Sequence, residues 1–113
     1  MRANSGIQRD AGDLLAYFYD VYRSGEHPDA VHIRSQLKWD ALRLSNAVSY
    51  LCDLGAVKTS PTYAPYGAMN PFRFSRLLPL GIDTIENRSK FKKQFGFSID
   101  LGVLRLSFGA SEK

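Results

Sequence analysis

The sequence predicts an α+β fold, mainly α, in one domain spanning residues 1–113. Three observations carry that reading. Apolar residues recur at spacings of three and four through three segments between Ile7 and Leu54. The period then changes to strand-like alternation at Ala56–Ser60 and at Phe72–Leu77. Between those two runs lie Pro61, Pro65, Gly67 and the pair Asn70-Pro71, which mark a loop.

The elements follow in order. Residues 1–6 read as a flexible lead. Ile7 to about Ser24 reads as a helix because Ile7, Ala11, Leu14, Leu15, Phe18, Val21 and Tyr22 form one stripe, and Ser24-Gly25 stops it. Asp29 is placed to cap a short helix from Ala30 to Leu37, with Ile33 and Leu37 inward. Lys38-Trp39-Asp40 is then a tight turn, and Asp40 caps a third helix from Ala41 to Leu54. Leu44, Val48, Leu51 and Leu54 form its apolar stripe, and Gly55 ends it in the left-handed conformation that suits a residue without Cβ. After the two strand-like runs, a last helix is predicted from about Leu80 to Phe95, anchored by Ile82, Ile85, Phe91 and Phe95 and stopped by Gly96. The tail alternates at Phe97–Leu101 and again over residues 103–108, as short strands do.

Composition narrows the class. The chain has 113 residues, 44% hydrophobic and 23% charged, ordinary values for a globular protein that can bury a core. No apolar run approaches the roughly 18 residues needed to span a bilayer, and the first residues are not an apolar signal core. A cytoplasmic protein without membrane insertion is therefore expected. The single cysteine, Cys52, excludes an intrachain disulfide and a cysteine-rich metal site, and reads as a core thiol. The net charge of +4 is uneven. Residues 1–57 hold six Lys and Arg against seven Asp and Glu, and residues 58–113 hold nine against four. A basic half suits a polyanionic partner, and a solvated helix face is its plainer explanation.

The segment from Asp29 to Glu86 carries a family pattern. It contains His32-Ile33-Arg34-Ser35-Gln36-Leu37, then Leu44, Ala47, Val48, Tyr50-Leu51 and Leu54-Gly55-Ala56-Val57, and finally Leu80-Gly81-Ile82 beyond the strand-like runs. About half of the chain thus resembles the winged helix-turn-helix DNA-binding domains of small prokaryotic transcriptional regulators. It departs from that pattern at Leu77-Leu78-Pro79-Leu80-Gly81, where the usual Thr before the glycine segment is missing. The resemblance implies a three-helix core with a β-hairpin wing, a further C-terminal helix and a short strand-like tail. It implies double-stranded DNA as partner, a role in transcription regulation, and a homodimer. Residues 29–86 are then the core, and 87–113 an extension able to serve in dimerisation.

On that reading Ala41–Leu54 is the recognition helix, which places one face in the major groove. Arg43 can donate two hydrogen bonds to guanine, and Asn46 can pair bidentately with adenine. Ser35, Lys38 and Ser45 suit phosphates, which set position but not sequence, and Ser49 faces outward as a further candidate DNA contact. Arg73 and Arg76 are three apart, so a regular strand turns them to opposite faces and brings only one to DNA. The hairpin loop holds no charged residue between Lys58 and Arg73, which is unusual for a DNA reader. Its Tyr63 and Tyr66 can stack on nucleotides or anchor a protein partner.

Arg88, Lys90, Lys92 and Lys93 share a helix with Phe91 and Phe95. That stretch reads as a phosphate patch, a lipid-surface helix, or a helix whose phenylalanines dock on the body or on a second subunit. With Tyr63 and Tyr66, Phe91 and Phe95 are therefore candidate partner or dimer contacts. The alternative function is a winged-helix protein–protein module without DNA readout. An enzyme is not expected, nor a cofactor or metal. His27 and His32 are five apart around a proline, Asp10 and Asp13 read as a solvated face, and no phosphate loop or nucleophile elbow is visible.

Overall fold

The computed structural model describes residues 6–62 and 72–99. Within them the chain runs α1 (Ile7–Arg23), α2 (Ala30–Leu37), α3 (Ala41–Leu54), β1 (Val57–Pro61), β2 (Phe72–Leu77), α4 (Pro79–Ile85) and α5 (Arg88–Phe95). The fold is α+β and mainly helical, with one antiparallel hairpin among the described residues. The lead at residues 1–5, the hairpin loop at 63–71 with Tyr63 and Tyr66, and the tail from Asp100 onward lie outside the described residues.

Helix α1 is the centre of the packing. Its predicted stripe of Ala11, Leu14, Leu15, Phe18 and Val21 is buried, and so are Ala16, Tyr17 and Tyr19 on its other sides. It touches α3, α4, α5 and β2, so a single stripe is too narrow for it. Ile7 departs from the expected stripe and is 48% exposed at the open first turn. Phe18 stacks on Phe74 of β2 with centroids 4.4 Å apart and planes 10° from parallel, which ties the hairpin to the helical core.

The caps act as the sequence indicates. The Asp29 side chain accepts from the His32 amide at 2.9 Å, and Asp40 accepts from the Arg43 amide at 2.8 Å. Gly55 ends α3 at φ 87°, in the left-handed region. Lys38 ends α2 in the same region at φ 60°, where a Cβ crowds the backbone, and so makes the turn between α2 and α3 short. An isolated bridge pairs Asp29 with Arg73, and the Phe74 amide donates to the Pro28 carbonyl at 2.9 Å. The segment before α2 therefore lies along the free edge of β2.

Three expectations need correction. The helix expected from Leu80 to Phe95 is two helices. The Asn87 side chain accepts from the Lys90 amide at 2.9 Å, restarting the helix and re-aiming Phe91 and Phe95 toward α1. Phe91 and Phe95 are accordingly 0% and 1% exposed within their own chain, and present no surface to a partner. The strand expected from Phe97 is not formed in its described part, 97–99. Phe97 instead packs edge-on to Phe91 with centroids 5.2 Å apart, and the Arg9 guanidinium sits 3.9 Å from its ring centroid.

Two glycines mark close approaches. At Gly12 a Cβ would lie 2.7 Å from Phe97 and 2.9 Å from Phe95. At Gly81 a Cβ would collide with the Ala56 carbonyl oxygen, a backbone group that also accepts from the Leu78 amide and cannot swing aside. Gly81→Ala is therefore expected to destabilise the protein by about 1–3 kcal/mol, the usual range for overpacking, as read by urea unfolding. A midpoint equal to that of the unaltered protein would show that α4 does not press on Ala56.

Candidate nucleic-acid interface

The outward face of α3 carries Leu42, Asn46, Ser49 and Asp53, all exposed. Its inward face holds Leu44, Ala47, Val48 and Leu51. One flank meets α1 and α5: Arg43 bonds Asp10, and Tyr50 accepts a 2.8 Å hydrogen bond from Gln94. The opposite flank meets β1, where Cys52 Sγ lies 3.8 Å from Thr59 Oγ1. Burial raises the Cys52 thiol above its ordinary pKa, so this cysteine is an unreactive packing residue.

Ser45 is displaced from the predicted set. It is 7% exposed and sits on the flank facing the hairpin, so it does not reach a ligand outside α3. Seven residues at 100° each put it about 20° from Cys52 around the helix, on the same flank. Asn46 and Ser49 are exposed as expected, as are Ser35 and Lys38 at the α2 end of the motif.

Arg43 is exposed but engaged. Its Nε and one terminal nitrogen both donate to Asp10 at 3.0 Å, a bidentate pair. Its guanidinium also lies 4.5 Å from the centroid of the Trp39 ring. The Asp10 hydrogen bond is the main reason its pKa is raised further. Asp10 is thus a partner of α3, where a solvated face was expected. Trp39, expected only as a turn residue, is 8% exposed and forms the floor under Arg43. The signal for that contact is the i,i+4 spacing of Trp39 and Arg43.

The hairpin corrects the reading of its arginines. Lys58 pairs with Arg76 and Thr59 with Phe74, which leaves Ser75 as an extra, unpaired residue. This bulge adds a half-period to β2. Phe72, Phe74 and Leu77 consequently face the core together, and Arg73 and Arg76 share the outer face. Lys58 stands directly across from Arg76 there, and sequence reasoning did not single it out. Arg73 is partly tied down, donating to the His27 carbonyl at 2.7 Å with Asp29 3.9 Å away. Lys58 and Arg76 enter no ion pair among the described residues. A like-charged cross-strand pair of this kind is unfavourable for folding alone.

His27 and His32 border an open cleft with Glu26, Pro28, Asp29 and Arg73. Among the described residues no three His, Cys, Asp or Glu side chains are grouped to hold a metal ion. No helix among them is long and apolar enough to cross a membrane. Comparison with protein-family models, with curated proteins and with solved structures found no match.

Asp13 sits near the Arg43–Asp10 pair, and desolvation raises its pKa above the ordinary 3.8 despite the nearby Arg9. The folded protein therefore holds this proton more tightly than the unfolded chain does. Its contribution is fully present below pH 3.8 and is lost as the pH rises through the folded value. Asp13→Asn is expected to melt above the unaltered protein at pH 7 and level with it at pH 3. A lower melting point at pH 7 would show that attraction to Arg9 and Arg43 outweighs burial.

Proposed function

We propose that this protein is a winged-helix module that binds double-stranded DNA, with α3 in the major groove, in the service of transcription control. The observation that carries the proposal is the outer face of the hairpin. Lys58 and Arg76 stand side by side without a carboxylate partner among the described residues, and the neighbouring α3 exposes Asn46 and Ser49 between Leu42 and Asp53. Two adjacent unpaired cations repel one another, and a phosphate backbone relieves that repulsion while releasing counterions. The element order supports the same reading: a helix, an edge segment paired with β2, two helices joined by a tight turn, then the hairpin.

The roles divide by position. Asn46 and Ser49 face outward at mid-helix and read base edges. Lys58 and Arg76, with Ser35, Lys38 and Arg73, contact phosphates and set the register. Lys38 occupies its left-handed conformation at a cost of roughly 1 kcal/mol that Gly would not incur, which fits a position kept for its ammonium group. Arg43 reaches a base only by exchanging Asp10 for guanine, so it contributes the difference between two bidentate pairs.

One observation favours a protein partner instead. Leu42 is 57% exposed at the start of α3, beside the neutralised Arg43. A protein-binding α3 would use that leucine and would leave Asn46 indifferent.

Fluorescence anisotropy with a DNA duplex across a salt series separates the two. Duplex binding is expected to weaken steeply with salt. Asn46→Ala is expected to cost about 1–3 kcal/mol on a preferred site and nothing on random sequence. Lys58→Gln is expected to reduce the salt slope by about 0.9. It should also raise folding stability by roughly 0.2–1 kcal/mol, because it removes a like-charge pair. A folded protein that ignores duplex at low salt would sink the DNA reading and turn attention to Leu42.

A further inference from the structure

Helix α5 exposes four cations and no carboxylate, with Ser89 and the half-buried Gln94 between them. Arg88, Lys90, Lys92 and Lys93 are exposed, and none enters an ion pair among the described residues. Phe91 and Phe95 are spent on the core, so no apolar side of α5 remains for insertion into lipid or for docking a hydrophobic partner. What remains is charge, and its chemical complement is a polyanion.

At 100° per residue, Lys90 lies about 40° from Gln94, Arg88 and Lys92 lie about 20° and 60° from Phe95, and Lys93 stands at the outer crest, about 100° from Gln94 and about 160° from Phe95. Gln94 donates to the Tyr50 hydroxyl of α3 at 2.8 Å. The Gln94 flank therefore borders the edge of α3 that lies opposite the hairpin.

We infer that Lys90 and Lys93 form a second phosphate-binding ridge, so that a DNA duplex entered by α3 is held on one side by Lys58 and Arg76 and on the other by α5. The inference rests on the DNA reading proposed above. It adds that α5 is a DNA-binding element, where its two phenylalanines had been read as docking on the body or on a second subunit. The outcome for nucleic acid is asymmetric: Lys90 and Lys93 contact phosphates, and Arg88 and Lys92 on the Phe95 flank do not.

The test uses the full chain, a random-sequence DNA duplex and two double variants of equal charge change. Lys90→Gln with Lys93→Gln is expected to lower the magnitude of the log–log salt slope by about 1.8, as loss of two phosphate contacts requires. Arg88→Gln with Lys92→Gln is expected to leave the slope near that of the unaltered protein. All four side chains are exposed, so both variants should keep the parent's unfolding midpoint, which is measured alongside. Equal slopes for both variants, or an unchanged slope for the first, would overturn the ridge while leaving the DNA reading intact. No duplex binding by the unaltered protein would overturn both. A third arm uses vesicles of phosphatidylserine and phosphatidylcholine. Tighter retention on those vesicles than on duplex, lost in the Lys90 and Lys93 variant, would assign the ridge to a lipid surface and overturn the inference.

Discussion

The packing depends on α1 being buried on nearly every side. A surface helix needs one apolar stripe, but this one supports α3, α4, α5 and the hairpin together. The stack of Phe18 on Phe74 joins the hairpin to that centre, and Phe91 and Phe95 close it from the other direction. Gly12 allows the closure, since α1 must be thin where the phenylalanine pair and Phe97 come against it. Everything proposed for the outer surface presupposes this arrangement, because α3, β2 and α5 all pack on the one helix they share.

Much of this fold was legible in the sequence, for identifiable reasons. Asp29, Asp40 and Gly55 have local jobs, and local jobs are visible in a linear string. The boundaries of α2 and α3 follow from them. The split between α4 and α5 was equally local, since Asn87 precedes Arg88 as a good cap does, yet the continuous spacing of Ile82, Ile85, Phe91 and Phe95 disguised it. The bulge at Ser75 was not legible. Nothing about a serine in a strand announces an extra residue; the partner strand decides it.

The candidate site divides along the same line. Exposure of Asn46, Ser49 and Lys38 follows from helical periodicity and the position of the turn, so it could be read directly. The engagement of Arg43 could not, because Asp10 is 33 residues away and nothing local links them. Ser45 failed for a subtler reason. A helix that meets one neighbour on each flank buries more of its circumference than its stripe of leucines suggests. Lys58 was overlooked because its meaning lies in what stands across from it.

The bulge also changes how cation spacing in such hairpins should be compared. In β2 two outward arginines are separated by two residues, whereas a regular strand places outward side chains with one residue between them. A related hairpin without the extra serine would present the same surface with its second cation one position earlier. Aligned residue against residue, the two strands would seem to disagree about where the charge belongs; superposed in space, they would coincide. Loss or gain of that one residue together with its bulge thus moves the outward cation along the sequence while leaving the surface it belongs to in place.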